Sequence, residues 1–211
     1  MLLPSGYEEV YPGVVRQLNP QPMEYDKKYI LSPKLGYRTT ATLRLGHLIQ
    51  NLPIGRSWRV LDFGCGRGLF VDAMCHLCST TKGFDVVEQK HPRVTSDLRL
   101  CTENHWDLVT FFDSLEHCED INKTIDQLKT QYVCVSVPEM PEGGIPVNWP
   151  HFKPNEHLWY FTKYGLIWFL KFHGFTNILY AGNVEDCLRK PWSSTFPNII
   201  TVIAGKGPSL R

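Results

Sequence analysis

Residues Arg59 to Phe70, RVLDFGCGRGLF, set three glycines at alternate positions directly after an apolar run that contains an aspartate. An apolar run closed by a tight glycine turn is the pattern of a buried parallel strand feeding a helix N-terminus, where open backbone N–H groups and small residues let a ligand come close. The stretch reads as a ligand-binding turn.

A regular alternation follows it. Strands are predicted at Arg59–Phe63, Lys82–Asp85, Arg93–Asp97, Trp106–Phe112, Tyr132–Val137, Phe175–Ala181 and Asn198–Ala204. Helices are predicted at Thr39–Leu52, Leu69–Cys78, Ile121–Thr130 and Lys163–His173, the last introduced by Thr162 as N-cap and closed by Gly174. Strands alternating with helices imply a parallel, doubly wound α/β sheet. No helix separates the last two strands, so they should close this seven-stranded sheet as an antiparallel pair. Only Val86 to Pro92 joins the second and third strands, too little for a full crossover helix, which predicts a trimmed edge. Residues 1–37 are rich in proline, glycine and tyrosine and read as an irregular arm with one helical turn. Residues 138–161 form a loop longer than structural connections need, the length of a lid over a binding site.

With 211 residues, 43% of them hydrophobic, the chain fits a single domain spanning 1–211. Lysine and arginine number 22 against 21 acids, without blocks of like charge, which argues against a nucleic-acid partner. The opening MLLPSGYEEVYPG lacks the features of a secretion signal, and no run approaches the ~20 apolar residues of a membrane span. Seven cysteines without an export signal predict reduced thiols and a cytoplasmic protein. Cys75 and Cys78 have the spacing of zinc ligands, but they fall on the predicted helix after the glycine turn, where both serve as small core residues.

VLDFGCGRG (Val60–Gly68), GFD (Gly83–Asp85), WDLVTFFDSLEHCED (Trp106–Asp120), VSVPE (Val135–Glu139) and EHLWYFTKYGLIWFLKFHGF (Glu156–Phe175) occur in the order of one family. On these segments the chain resembles the class I S-adenosylmethionine-dependent methyltransferases, most of all the small-molecule O- and N-methyltransferases. The resemblance implies a Rossmann-like fold, S-adenosyl-L-methionine as cofactor and a small-molecule acceptor.

The residues agree with it. The glycines follow G-x-G-x-G, with Leu69 where a dinucleotide turn has its third glycine. Asp62 below that turn would repel a pyrophosphate but suits an ammonium. Gly64, Cys65, Gly66 and Gly68 form the turn. The resemblance gives Asp85, with Val86, the ribose hydroxyls, Asp97 and Leu98 the adenine, and Phe112 and Asp113 the methionine part. It places Tyr29 over the methyl end; the guanidinium of Arg38 or Arg44 can pair with the cofactor carboxylate in bidentate fashion, with Arg38 the candidate.

By the same resemblance, Glu116 and His117 fall where methyl donor and acceptor meet. Histidine titrates near neutral pH, so His117 is the candidate catalytic base. One carboxylate beside one histidine is a thin ligand set, and no metal is expected. Trp149, His151, His157 and Tyr160 in the long loop are candidates for the acceptor pocket.

The expected reaction is methyl transfer to an oxygen or nitrogen of a small molecule or glycan precursor. The alternatives are a non-catalytic cofactor-binding partner subunit and a nucleic-acid methyltransferase. Against the second stands FFDSL at the end of the fourth strand, in place of an Asn/Asp-Pro-Pro-aromatic motif.

Overall fold

The structure, a computed structural model, describes residues 1–24, 37–189 and 198–207. Helix α1 (Tyr37–Asn51) precedes β3 (Arg59–Phe63), and α2 (Leu69–Met74) follows the glycine turn. Next come β4 (Thr80–Phe84), β5 (Val94–Thr95), α3 (Arg99–Glu103), β6 (His105–Phe112), α4 (Ile121–Asp126) and β7 (Lys129–Pro138). After the long loop the chain forms β8 (Trp159–Phe161), α5 (Lys163–Phe172), β9 (Asn177–Gly182) and β10 (Ile199–Gly205). The main sheet has the order β5-β4-β3-β6-β7-β10-β9, parallel from β5 to β7, with β10 antiparallel to both its neighbours. This is the predicted seven-stranded, doubly wound architecture.

Side-chain alternation along the strands builds the two flanking layers. Leu61, Phe63, Val109, Phe111, Val133 and Val135 face α4 and α5. Val60, Leu108 and Cys134 face α1 and α2, meeting Leu48, Phe70 and Met74. Two helices stop short of their predicted ends. Residues 129–130, assigned to the third predicted helix, pair instead with His105 and Trp106 as the start of β7. The second ends at Met74, leaving Cys75 half-buried and Cys78 buried beyond it; all seven cysteines are free thiols. The edge strand β5 has only two residues, as the short connection required. Thr162 caps α5 by accepting from the Gly165 N–H at 3.0 Å, and Gly174 follows its end with φ of 85°.

The N-terminal arm differs from its prediction. Its described part is a hairpin, β1 (Tyr7–Tyr11) and β2 (Val14–Gln17), which joins β8 in a separate three-stranded antiparallel sheet. The end of the long loop is therefore strand: β8 pairs Val14 with Phe161 and Arg16 with Trp159.

Candidate active site

The glycine turn sits at the carboxyl ends of β3 and β4, the edge where open α/β sheets bind ligands. The N–H groups of Gly64 and Cys65 both donate to the Phe84 carbonyl, at 2.8 and 3.0 Å, so the turn is tied to the neighbouring strand. Gly64 and Gly66 have φ of 76° and 51°, a left-handed conformation that glycine adopts freely. Their surroundings differ. A Cβ on Gly64 would lie 2.4 Å from the Ser114 Cβ, so this glycine is required by packing. Around Gly66 nothing lies within 4 Å of that position, so the backbone is open to a ligand.

Two carboxylates flank the opening. Asp85 accepts from the Gly66 N–H at 2.8 Å with one oxygen and from the Val87 N–H at 3.0 Å with the other. Each oxygen keeps a second lone pair. Burial pushes the Asp85 carboxyl up, and the two backbone donors counter this. Asp62 is buried and accepts from the Thr110 hydroxyl at 2.7 Å. Burial outweighs that bond and raises Asp62 to about 6. Since the folded pKa lies above the unfolded value, stability is fully present below pH ~4 and falls as pH rises through ~6, by about 3 kcal/mol in all. Asp62→Asn should therefore raise the melting temperature at pH 8, with the gain shrinking as pH falls toward 5. A gain that grew toward low pH would contradict this origin.

Asp97 is differently placed. Its carboxylate is exposed and grips the Arg99 guanidinium, at 3.0 Å from Nε and 2.7 Å from Nη2. A side chain two residues away thus satisfies the group the sequence assigned to adenine. Leu98 is exposed, as are Val86 and Arg38, and Tyr29 lies outside the described residues.

Phe112 and Asp113 belong to a charged cluster that the sequence did not reveal. Asp113, at φ of 54°, accepts from Arg44 Nη2 at 2.8 Å and from Arg189 Nη1 at 2.9 Å. The same two arginines bind Glu185: Arg44 Nε lies 2.7 Å and Arg189 Nη2 2.8 Å from its carboxylate. The Arg44 guanidinium also covers the Phe112 ring, 4.3 Å from its centroid. The two arginines hold Asp113 well below the usual carboxylate range, against the effect of its burial. Arg44 was considered from sequence, whereas Glu185 and Arg189 left only their i, i+4 spacing as a signal.

Beyond Asp113 the chain makes a single 3-10 turn, Leu115–His117. Here the long loop returns. The Leu158 N–H donates to the Glu116 carbonyl at 2.8 Å, and Trp159 Nε1 donates to the Cys118 carbonyl at 2.8 Å. His117 Nδ1 lies 2.6 Å from the Glu156 carbonyl, and His157 Nδ1 2.9 Å from the His151 carbonyl. A carbonyl only accepts, so in each ring Nδ1 carries the hydrogen and Nε2 the lone pair. The two rings meet edge to face with centroids 4.9 Å apart. Burial lowers His117 and pushes His157 down to about 3, which keeps both neutral. Glu116 lies beside them, its Oε1 3.8 Å from His117 Nε2, and is 1% exposed, with no hydrogen-bond partner for either carboxylate oxygen. Burial and the charge of Asp113 push its carboxyl well above the usual range.

Thus the structure brings His157 to His117 and Glu116. His151 is held by a 2.8 Å bond to Asn198. Trp149 and Tyr160, offered as pocket residues, are buried in a cluster with Val15, Met140 and Ile145, where they anchor the loop to the hairpin.

A family model described as a methyltransferase domain matches residues 37–180. No curated protein sequence matches the chain. Among solved structures, a chain of the complex formed by the Haloferax volcanii Trm112 methyltransferase activator is similar at 11% identity, covering 88% of this chain and 100% of that one, with a TM-score of 0.63. Magnesium protoporphyrin IX methyltransferase from Synechocystis PCC 6803, with bound S-adenosylhomocysteine, is similar at 16% identity, covering 82% and 84%, with a TM-score of 0.54. The [4+2]-cyclase SpnF is also similar, at 16% identity, covering 81% and 82%, with a TM-score of 0.56. At such identities the likeness extends to the fold.

Proposed function

The chain belongs to the class I S-adenosylmethionine-dependent methyltransferases, and from that premise we propose that it methylates an oxygen or nitrogen nucleophile of a small molecule or glycan precursor. The observation that carries this reading is the glycine turn: open at Gly66, bordered by the Asp85 carboxylate and underlain by the buried Asp62. Asp85 would take the ribose hydroxyls on its remaining lone pairs, and Asp62 suits the ammonium of the methionine part. S-adenosylmethionine bound there supplies a methyl group on a sulfonium, already a strong electrophile. What is asked of the chain is mainly alignment and exclusion of water.

The acceptor end is assigned to Glu116 and His117, in the turn after β6, and to His157, near the end of the long loop that returns to that turn. The neutral His117 ring, with its basic Nε2, can accept a proton from the acceptor. His151 borders this group.

A second reading, a cofactor-binding subunit that acts through a partner, is favoured by one surface. Tyr164 and Phe172 stand exposed on α5, and Trp168 stacks on Phe172 at 5.3 Å and packs against Tyr11, tilted, at 5.0 Å. No helix of the described residues is long and apolar enough to cross a membrane. The test offers methyl-labelled cofactor and pooled metabolite extracts to the purified chain. Label recovered in a small molecule supports transfer. Tight S-adenosylhomocysteine binding with no label moved from any extract supports the partner reading.

A further inference from the structure

We propose that Glu116, His117 and His157 form a binding site for one divalent first-row transition-metal ion. One ligand atom from each of the three, a carboxylate oxygen and two imidazole nitrogens, lies within 4.8 Å of the others. Two imidazoles and one carboxylate are a ligand set that suits such ions and leaves coordination positions open.

The surroundings prepare the set. Both Nδ1 atoms are engaged by backbone carbonyls, of Glu156 and His151, which fixes the tautomer that turns Nε2 into the ligand. This is the arrangement by which proteins orient metal-binding histidines. The Glu116 carboxylate is the independent sign. A fully buried acid with neither oxygen hydrogen-bonded costs stability, and a cation between it and the rings removes that cost. His117 Nε2 is 3.8 Å from Glu116 Oε1. Metal–ligand bonds of about 2.1 Å set ligand separations near 3–3.5 Å, so binding draws the three side chains together by small rotations. The Leu158 and Trp159 hydrogen bonds hold the two segments in place for this.

The site changes what the acceptor end does under the function proposed above. An acceptor hydroxyl on an open position of the ion would be more acidic and would give its proton to solvent, and His117 then serves as a ligand, replacing its role as base. That consequence rests on the methyltransferase reading; metal binding itself does not.

Manganese(II) is the probe, because the free thiols of the chain compete poorly for so hard an ion. The full chain, stripped with chelator, should bind one equivalent, followed by loss of the free-ion paramagnetic resonance signal. Glu116→Gln and His157→Ala should each weaken binding more than about 100-fold, beyond the 10–100-fold that loss of a supporting partner costs. Glu116→Gln keeps size and shape, so it stays informative should His157→Ala unfold. Absence of binding in the wild type, or binding undiminished in Glu116→Gln, overturns the proposal. S-adenosylhomocysteine calorimetry on the same samples separates the two readings: cofactor binding without manganese removes only the metal site, and manganese binding without cofactor removes only the function proposed above.

Discussion

Asp85→Ala is expected to weaken S-adenosylhomocysteine binding by more than about 100-fold in calorimetry. Two bonds from ligand hydroxyls to a charged carboxylate are worth roughly 1.5–3 kcal/mol each. The same carboxylate also ties Gly66 and Val87 into the binding conformation, at 2.8 and 3.0 Å. Asp85→Asn keeps one acceptor oxygen and should fall between the two. An affinity unchanged in Asp85→Ala, in a variant that melts like the wild type, would remove Asp85 from the cofactor site and place the ligand elsewhere.

The second large effect concerns stability. Arg44→Ala should lower stability by about 3–5 kcal/mol, because it leaves the Glu185 carboxylate buried with only Arg189 to balance it. For a chain of this length that corresponds to a melting temperature lower by about 10 °C. The double substitution Arg44→Leu with Glu185→Leu removes one charge of each sign and leaves the Asp113–Arg189 pair in place. It should recover most of the loss, since well-packed apolar residues commonly replace buried ion pairs at little cost. A double variant no more stable than Arg44→Ala would show that the four groups act only together.

How much of this was legible in the sequence follows from where each signal lives. The parallel strands were readable because both their faces are buried, so Val60–Phe63 and Leu108–Phe112 are nearly unbroken apolar runs. The glycine turn was readable because its conformations demand glycine. The hairpin was not: Tyr7–Tyr11 is YEEVY, half-buried except at the exposed Glu9, and its place is set by β2 pairing with β8 far along the chain. The same holds for the group of Glu116, His117 and His157. Glu116 and His117 stood out by type, but His157 joins them through backbone hydrogen bonds between two loops, which leave no periodicity. The charged quartet was hidden for a related reason, since its members come from α1, the end of β6 and the turn before residue 190.

Strand β10 fills the position between β7 and β9. During synthesis, β9 therefore leaves the ribosome with no neighbour to pair with, and the exposed edge of β7 waits as well. The antiparallel side of the sheet can close only once residues 199–205 have emerged and slid into the gap. Until then the nascent chain carries two unpaired apolar edges, the kind of surface on which chaperones act and misassembly begins.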